Sequence, residues 1–343
     1  MNAGAEAVMQ MNEMAGTSGN AAAPDTSLDS MMTLEIVGAR DLAQGVRGFE
    51  LARPDRGELP AFTAGSHIKV RTPGGGIRKY SLCNSPDDRN FYQIAVKRDA
   101  KGQGGSISMC EDAHAGDAIL VSAPENAFPL AQKAGGYIFI AGGIGITPIL
   151  SMIRSLGELP PAPWKLFYLT QSPAATPFIE ELKQLGAYGA VRLHHDEGDP
   201  ARTFDLWPVL EKPTNAHIYC CGPRGLMDAV RDMSGHWSND QVHFESFSDG
   251  SIARPDDKPF AVTLAKSHQT VQVPVGKSIL GALRECGHVL SSSCESGTCG
   301  TCRTGLLAGE ADHRDMVLMP EEMASQIMIC VSRAKSAELV LDL

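Results

Sequence analysis

The sequence is short of positive charge, of long apolar runs and of the cysteine density that a disulfide scaffold needs. Its 343 residues carry 30 Lys and Arg against 40 Asp and Glu, a formal net charge of −10. Broad nucleic-acid binding depends on basic surface that neutralises phosphates, so that class is excluded. No apolar run reaches the roughly 18 residues of a membrane-spanning helix. No Lys or Arg precedes Arg40, and the N-terminus lacks the apolar core of a secretory leader. These absences predict a cytoplasmic protein in a reducing compartment. Nine cysteines are too few for a disulfide framework in a chain this long. Where they cluster, they read as metal ligands or catalytic groups.

The chain is long enough for two or three domains. Residues 1–30 hold four acids, no Lys or Arg and no aromatic residue, and are expected to be a disordered extension. From 31 to 131, short alternating segments (TLEIV, GFELA, HIKVR, KYSLC, YQIAVK, AILVS) separated by turn residues predict an antiparallel β-barrel or sandwich, the barrel being the expectation carried forward. From 132 to 246, apolar runs such as YIFIAGG, WKLFYLT and HIYCCG alternate with helical stretches, which predicts an α/β domain with a parallel sheet. Residues 247–258 read as a linker. Residues 259–343 begin with two strand patterns, pass through a helix near 277–286, and end on ELVLDL, which predicts a small α+β domain. That last segment holds nine acids against seven Lys and Arg.

Three of the nine cysteines lie in CESGTCGTC, spaced Cys294-x4-Cys299-x2-Cys302, and Cys330 follows 28 residues later. This is the C-x4-C-x2-C…C spacing of plant-type [2Fe–2S] clusters. A loop can wrap one side of the compact cluster with three thiolates while a separate strand or turn brings the fourth. Gly297 and Gly300 let the backbone come close enough for N–H groups to reach the sulfurs. Structural zinc is the alternative, but it ordinarily uses two C-x2-C pairs, and only one is present.

Two further stretches carry candidate chemistry. In YIFIAGGIGITPILSMI, Gly142, Gly143 and Gly145 form a strand-to-helix turn, and Pro148 suits the first helical turn. Thr147 lies beside it, and such a helix N-terminus can hold a phosphate. A second turn, Cys221-Gly222-Pro223, again closes a strand and opens a helix. Two such turns on one parallel sheet make a crevice at the strands' carboxyl ends; either turn alone is equally well read as a plain tight turn. In the barrel region, Arg78, Lys79, Tyr80 and Ser81 put cations, an aromatic ring and a hydroxyl on one strand. That set is what a flavin's phosphate, ring and reactive edge require, although a surface strand with a structural Tyr has the same composition. Further on, Lys97 and Gly104-Gly105-Ser106 offer charge, backbone N–H groups and a hydroxyl to one phosphate.

Taken in order, RKYSLCNSP, AVKRDAKGQGGSIS, AGGIGITP, YCCGP, VHFESF, SSCESGTCGTC, GEADHRDMVL and CVSRAKSAELVLDL resemble the ferredoxin-NADP reductase superfamily with a C-terminal plant-type ferredoxin domain. Within it, the chain is similar to the phthalate dioxygenase reductase and vanillate demethylase reductase family over about residues 32–343. The resemblance implies a β-grasp fold for the last domain and FMN in the barrel. FMN contacts would come from Arg78, Lys79, Tyr80, Ser81, Ala95, Val96, Lys97, Gly104, Gly105, Ser106 and Thr147, with Phe247 stacked near the ring. It implies NADH as donor and a Rieske-type terminal oxygenase as partner, phthalate dioxygenase first and a vanillate demethylase next, with the reductase a monomer when free. A redox-sensing iron–sulfur module is the reading from another class.

The residues also bear on the donor directly. A 2′-phosphate would call for Arg or Lys after the second strand of the α/β domain, and LTQSPAATPFIEEL has neither, which favours NADH. NADH delivers two electrons at once and an iron–sulfur cluster accepts one, so a flavin must stand between them. Ser81, Cys221 and Phe247 are the expected residues of the hydride-transfer site, and Cys294, Cys299, Cys302 and Cys330 the cluster ligands. His194 and His195, ending a strand, read as packing or surface residues.

Overall fold

A computed structural model describes residues 31–102, 104–157, 162–186, 190–247 and 254–343. The expected disordered extension over 1–30 lies outside the described residues, as do positions 248–253 of the expected linker. Among the described residues no helix is long and apolar enough to cross a membrane.

The first domain contains β1 (Met32–Ala43), β2 (Val46–Ala52), β3 (Ser66–Arg71), β4 (Ile77–Ser81), β5 (Tyr92–Lys97), α1 (Gly105–Asp112), β6 (Ala118–Val121) and β7 (Glu125–Asn126). Its antiparallel sheet runs β4-β3-β6-β1-β2-β5, with β7 beside β3. Every second side chain turns inward: Leu34 and Ile36, Ile68 and Val70, then Tyr92, Ile94 and Val96 share one core. Burying each such side chain stabilises the fold by about 1.5–3 kcal/mol. The sheet curls until its outer strands, β4 and β5, face each other; no ladder joins them among the described residues, although Cys83 N–H, just past the end of β4, donates to the carbonyl of Gln93 in β5 at 2.9 Å. Helix α1 is unannounced in the sequence: it starts on a glycine pair and buries only Gly105, Ser108 and Met109, too few residues to set up a 3.6-residue apolar rhythm.

The second domain contains β8 (Gly136–Gly142), α2 (Ile146–Leu156), β9 (Trp164–Thr170), α3 (Ile179–Leu185), β10 (Ala190–His195), α4 (Trp207–Leu210), β11 (Ala216–Cys221), α5 (Arg224–Met233) and β12 (Val242–Glu245). Its parallel sheet has the order β10-β9-β8-β11-β12. The chain winds outward from β8 to β10 and then returns to place β11 on the other side of β8. The strand order therefore reverses between β8 and β11, the switch point beside which open α/β sheets leave a crevice. Helix α2 is apolar on nearly all sides because it is covered twice. It packs on the sheet, while Ser151 Oγ donates to the Asn84 carbonyl at 3.0 Å and Arg154 reaches the Cys83 carbonyl in the first domain. Val46, Ala64, Cys83, Ala95 and Phe128 share a core with α2, so the first two domains are welded by apolar contact.

The third domain contains β13 (Phe260–Leu264), β14 (Thr270–Val273), α6 (Ile279–Glu285), β15 (Arg303–Ala308), β16 (Ala311–Asp312), β17 (Gln326–Met328), β18 (Arg333–Ala334) and β19 (Glu338–Leu341). Its main sheet is ordered β14-β13-β19-β15-β17, with β13 and β19 parallel and the other pairs antiparallel, and α6 packs on it. The end of the expected linker is fastened to this domain: the buried Asp257 carboxylate is paired with Arg314 and lies 3.6 Å from Arg333.

Candidate redox site

Strand β4 stands at the junction of all three domains, and its two-residue alternation divides the work. Arg78 and Tyr80 point one way, toward α1. Lys79 and Ser81 point the other way, toward the second and third domains. On the first face, a Cβ added to Gly105 would come within 3.0 Å of the Arg78 side chain, so the guanidinium stem lies over the start of α1. Gly104 there adopts φ +84, a left-handed backbone that glycine takes without strain. The first amides of α1 have no intrahelical acceptor, and with Arg78 they supply donors of the kind one phosphate takes. Ser106 Oγ accepts from Asp99 N–H at 3.0 Å and retains its own proton to donate. Lys97 ends β5, exposed. Ala95 and Val96 are buried, so they offer a ligand only their backbone. The Tyr80 hydroxyl is buried with no hydrogen-bond partner among the described residues, and burial pushes its pKa up to about 12. An aromatic wall with an unsatisfied hydroxyl beside a one-phosphate cradle fits a flavin mononucleotide.

At the sheet's switch point the two glycine turns press on each other. A Cβ on Gly145 would lie 2.1 Å from the Cys221 carbonyl oxygen, and one on Gly142 would lie 2.6 Å from the Pro223 ring. Gly222 in turn abuts the Gly142 backbone. These three glycines are required by close packing of the turns. Gly143 differs: at φ +53 its Cα faces open space, and Tyr168 Oη donates to its carbonyl at 3.0 Å, fixing the turn. Thr147 is buried at the start of α2, its hydroxyl donating to the Ile144 carbonyl at 3.0 Å. His195 and His194 hold structural bonds, to the Thr170 hydroxyl at 2.8 Å and to the Arg202 carbonyl at 2.6 Å.

The same end of the sheet carries an acid that sequence reasoning passed over. Glu245 closes β12, opposite Cys221 in the β11 ladder, and is only 8 % exposed. Ser81 Oγ donates to its Oε2 at 3.5 Å. Burial first, and the nearby Cys294 sulfur next, push the Glu245 carboxyl up to about 8, so it is protonated at neutral pH. Burial and the same acid hold the Cys221 thiol well above its ordinary range. Phe247, two residues beyond Glu245, is 45 % exposed. The signal for Glu245 was present in VHFESF: an acid ending a parallel strand, where strand carboxyl ends border the crevice.

The cluster loop is held from beneath by α6. Arg284 bonds Glu295 Oε1 at 2.8 Å and the Leu290 carbonyl at 3.2 Å. Left-handed φ values of +76 at Gly297, +81 at Gly300 and +56 at Glu295 coil the loop so that its amides turn inward. Ser296 and Thr298 N–H both donate to Cys294 Sγ at 3.4 Å, and Cys294 N–H reaches Cys299 Sγ at 3.5 Å. The sulfurs meet as two pairs. Cys294 is hydrogen-bonded to Cys299 and held down to about 4 by that bond first, then by the Thr298 hydroxyl and the two loop amides. Cys302, just before β15, is lowered chiefly by its bond with Cys330, in the turn after β17. Among the described residues no three His, Cys, Asp or Glu side chains close around a single ion. Two thiol pairs, one within the loop and one joining the loop's end to the turn after β17, fit the four ligands of a two-iron cluster.

The loop contacts both other domains. Lys79 Nζ donates to the Ser293 and Cys294 carbonyls at 3.0 and 3.3 Å, so its side chain leaves the flavin cradle for the cluster loop. From α5, Arg224 donates to the Arg314 carbonyl at 2.8 Å and Arg231 to the Asp315 carbonyl at 3.3 Å, while Met316 N–H bonds the Gly297 carbonyl at 2.9 Å. The motif GEADHRDMVL is thus a bracket between the cluster loop and the nucleotide domain.

Fold and site together define a flavin and pyridine-nucleotide reductase joined to a ferredoxin. Family models agree along the chain: an oxidoreductase FAD-binding domain over residues 33–129, an oxidoreductase NAD-binding domain over 139–232, and a 2Fe-2S iron-sulfur cluster binding domain over 262–335. The chain is 51 % identical over 316 residues to the phthalate 4,5-dioxygenase oxygenase reductase subunit of Pseudomonas putida and 50 % identical to the phthalate dioxygenase reductase of Burkholderia cepacia, covering 92 % of this chain and 98 % of each relative. Vanillate O-demethylase oxidoreductase of Pseudomonas putida is 39 % identical, covering 91 % of this chain and all of that one. The solved phthalate dioxygenase reductase, described as a modular structure for electron transfer from pyridine nucleotides to [2Fe-2S], superposes with TM-score 0.68 and 49 % identity over 92 % of this chain and 98 % of that one. The chain belongs to the phthalate dioxygenase reductase family.

Proposed function

We propose that this chain is the NADH-dependent reductase component of a Rieske-type aromatic-ring oxygenase, with phthalate the partner's substrate, and that it is a monomer when free. Arg78, Lys97 and the α1 N-terminus from Gly104 to Ser106 hold the phosphate of FMN, Ala95 and Val96 line its edge with backbone, and Tyr80 walls its ring. Gly142, Gly143, Gly145 and Thr147, with Cys221, Gly222 and Pro223 across the crevice, receive NADH. Phe247 covers the ring until the nicotinamide arrives. Cys294, Cys299, Cys302 and Cys330 hold the [2Fe–2S] cluster. When bound, the flavin takes a hydride and returns its electrons one at a time, and the cluster carries them singly. Ser81 presents its hydroxyl at the flavin's reactive edge, oriented by Glu245. Because Glu245 is protonated near neutrality, it sets no negative charge against the arriving hydride.

The observation that carries this reading is strand β4, whose Ser81 meets the end of the nucleotide sheet while Lys79, two residues earlier, meets the cluster loop. Donor, relay and acceptor sites converge on five residues of chain. The purified protein is expected to show flavin and iron–sulfur absorption, both bleached by NADH under nitrogen. Acid extraction should release FMN, and a purified phthalate oxygenase component should turn over with NADH only when the reductase is added. Extraction of FAD, or a protein without non-haem iron, would refute it.

A further inference from the structure

We propose that Lys79 is a positioning residue for electron transfer, placing its fixed charge on the cluster loop and so holding the cluster's reduction potential up. Its ammonium bridges two consecutive carbonyls, Ser293 and Cys294, the second belonging to a cluster ligand. The sulfur of that residue is the one that accepts both loop amides. The charge of Lys79 is felt by Glu245, Glu295 and the buried His67, the groups that face this junction from the nucleotide sheet, the cluster loop and β3.

Docking strength is not what Lys79 contributes. The ammonium is exposed, and exposed charged contacts are worth little. Arg224 and Arg231 already fasten the third domain to α5 independently. What a fixed positive charge does beside a cluster is electrostatic. Four thiolates and two sulfides outweigh two ferric ions, so the oxidised cluster is anionic and an added electron deepens that charge. A cation on the ligand's own carbonyl therefore stabilises the reduced form more than the oxidised form. The step concerned moves one electron from the reduced flavin onto one ferric ion, which becomes ferrous. No bond to the four sulfurs forms or breaks, and after two such transfers the flavin's N–H proton passes to solvent.

The proposal rests on the assignment of the four cysteines as [2Fe–2S] ligands. The test is an anaerobic redox titration of the whole protein, reading the reduced-cluster electron-spin signal in wild type, Lys79→Gln and Lys79→Arg, after iron and flavin contents are measured. Lys79→Gln is expected to keep both cofactors and shift the one-electron equilibrium toward the flavin about tenfold, which is about 59 mV. Lys79→Arg should restore most of that shift. An unchanged potential in Lys79→Gln, an equal drop in Lys79→Arg, or loss of iron or flavin with the charge would each overturn the proposal. Wild type without the signal would refute the ligand assignment instead, so the two failures are distinguishable.

Discussion

Ser81, the last residue of β4, donates its hydroxyl to Glu245, the last residue of β12, at 3.5 Å, so a side-chain bond ties the flavin strand to the nucleotide sheet. Removing the hydroxyl in Ser81→Ala should slow NADH-driven flavin bleaching about tenfold, the kinetic equivalent of one ordinary hydrogen bond. Stopped-flow absorbance under nitrogen measures it, and a rate equal to wild type would remove Ser81 from the hydride site.

The raised carboxyl of Glu245 makes a pH prediction. Its pKa rises from 4.5 to about 8 on folding, so the folded state binds the proton more tightly than the unfolded chain. That contribution to stability is fully present below about 4.5 and is lost as pH climbs through about 8. Relative to Glu245→Gln, wild type should therefore lose thermal stability across this window and level off above it. Melting temperatures of the two proteins from pH 5 to 9 provide the comparison; parallel curves would mean the carboxyl is already ionised at the bottom of the window.

Cys299→Ser replaces one thiolate of the first pair by a weaker ligand. NADH oxidation with ferricyanide, which takes electrons from the flavin, should persist at close to the wild-type rate, while reduction of the oxygenase component should vanish with the cluster's absorbance. Survival of both activities would show that electrons leave by another route.

Two glycines of one turn, separated by Ile144, should respond differently. Gly145→Ala drives a methyl into the Cys221 carbonyl at 2.1 Å, a backbone contact that cannot yield without parting the two nucleotide turns. We expect a loss of about 2–3 kcal/mol, in the range for overpacking. Gly143→Ala meets nothing within 4 Å and incurs only the left-handed backbone cost at φ +53, about 1–2 kcal/mol. Chemical denaturation of both variants ranks them, and the opposite order would mean that the turns are not packed as described.

Local chemistry determined a good deal of this protein from sequence alone. Period-two segments marked β1 to β6, βα alternation marked the parallel sheet, and the spacing Cys294-x4-Cys299-x2-Cys302 marked the thiol loop, because each pattern is written within a few consecutive residues. Helix α1 escaped because eight residues opening on Gly105, behind a glycine N-cap, carry no periodic signal. Tertiary structure decided what adjacency cannot: that Gly142, Gly145 and Gly222 serve the packing of two distant turns, that the sulfurs pair as Cys294 with Cys299 and Cys302 with Cys330, and that Glu245 sits beside Ser81, 164 residues away. It also sent Lys79 to the cluster loop, because neighbouring side chains on a strand point to opposite faces and only the packed neighbours decide what each face meets.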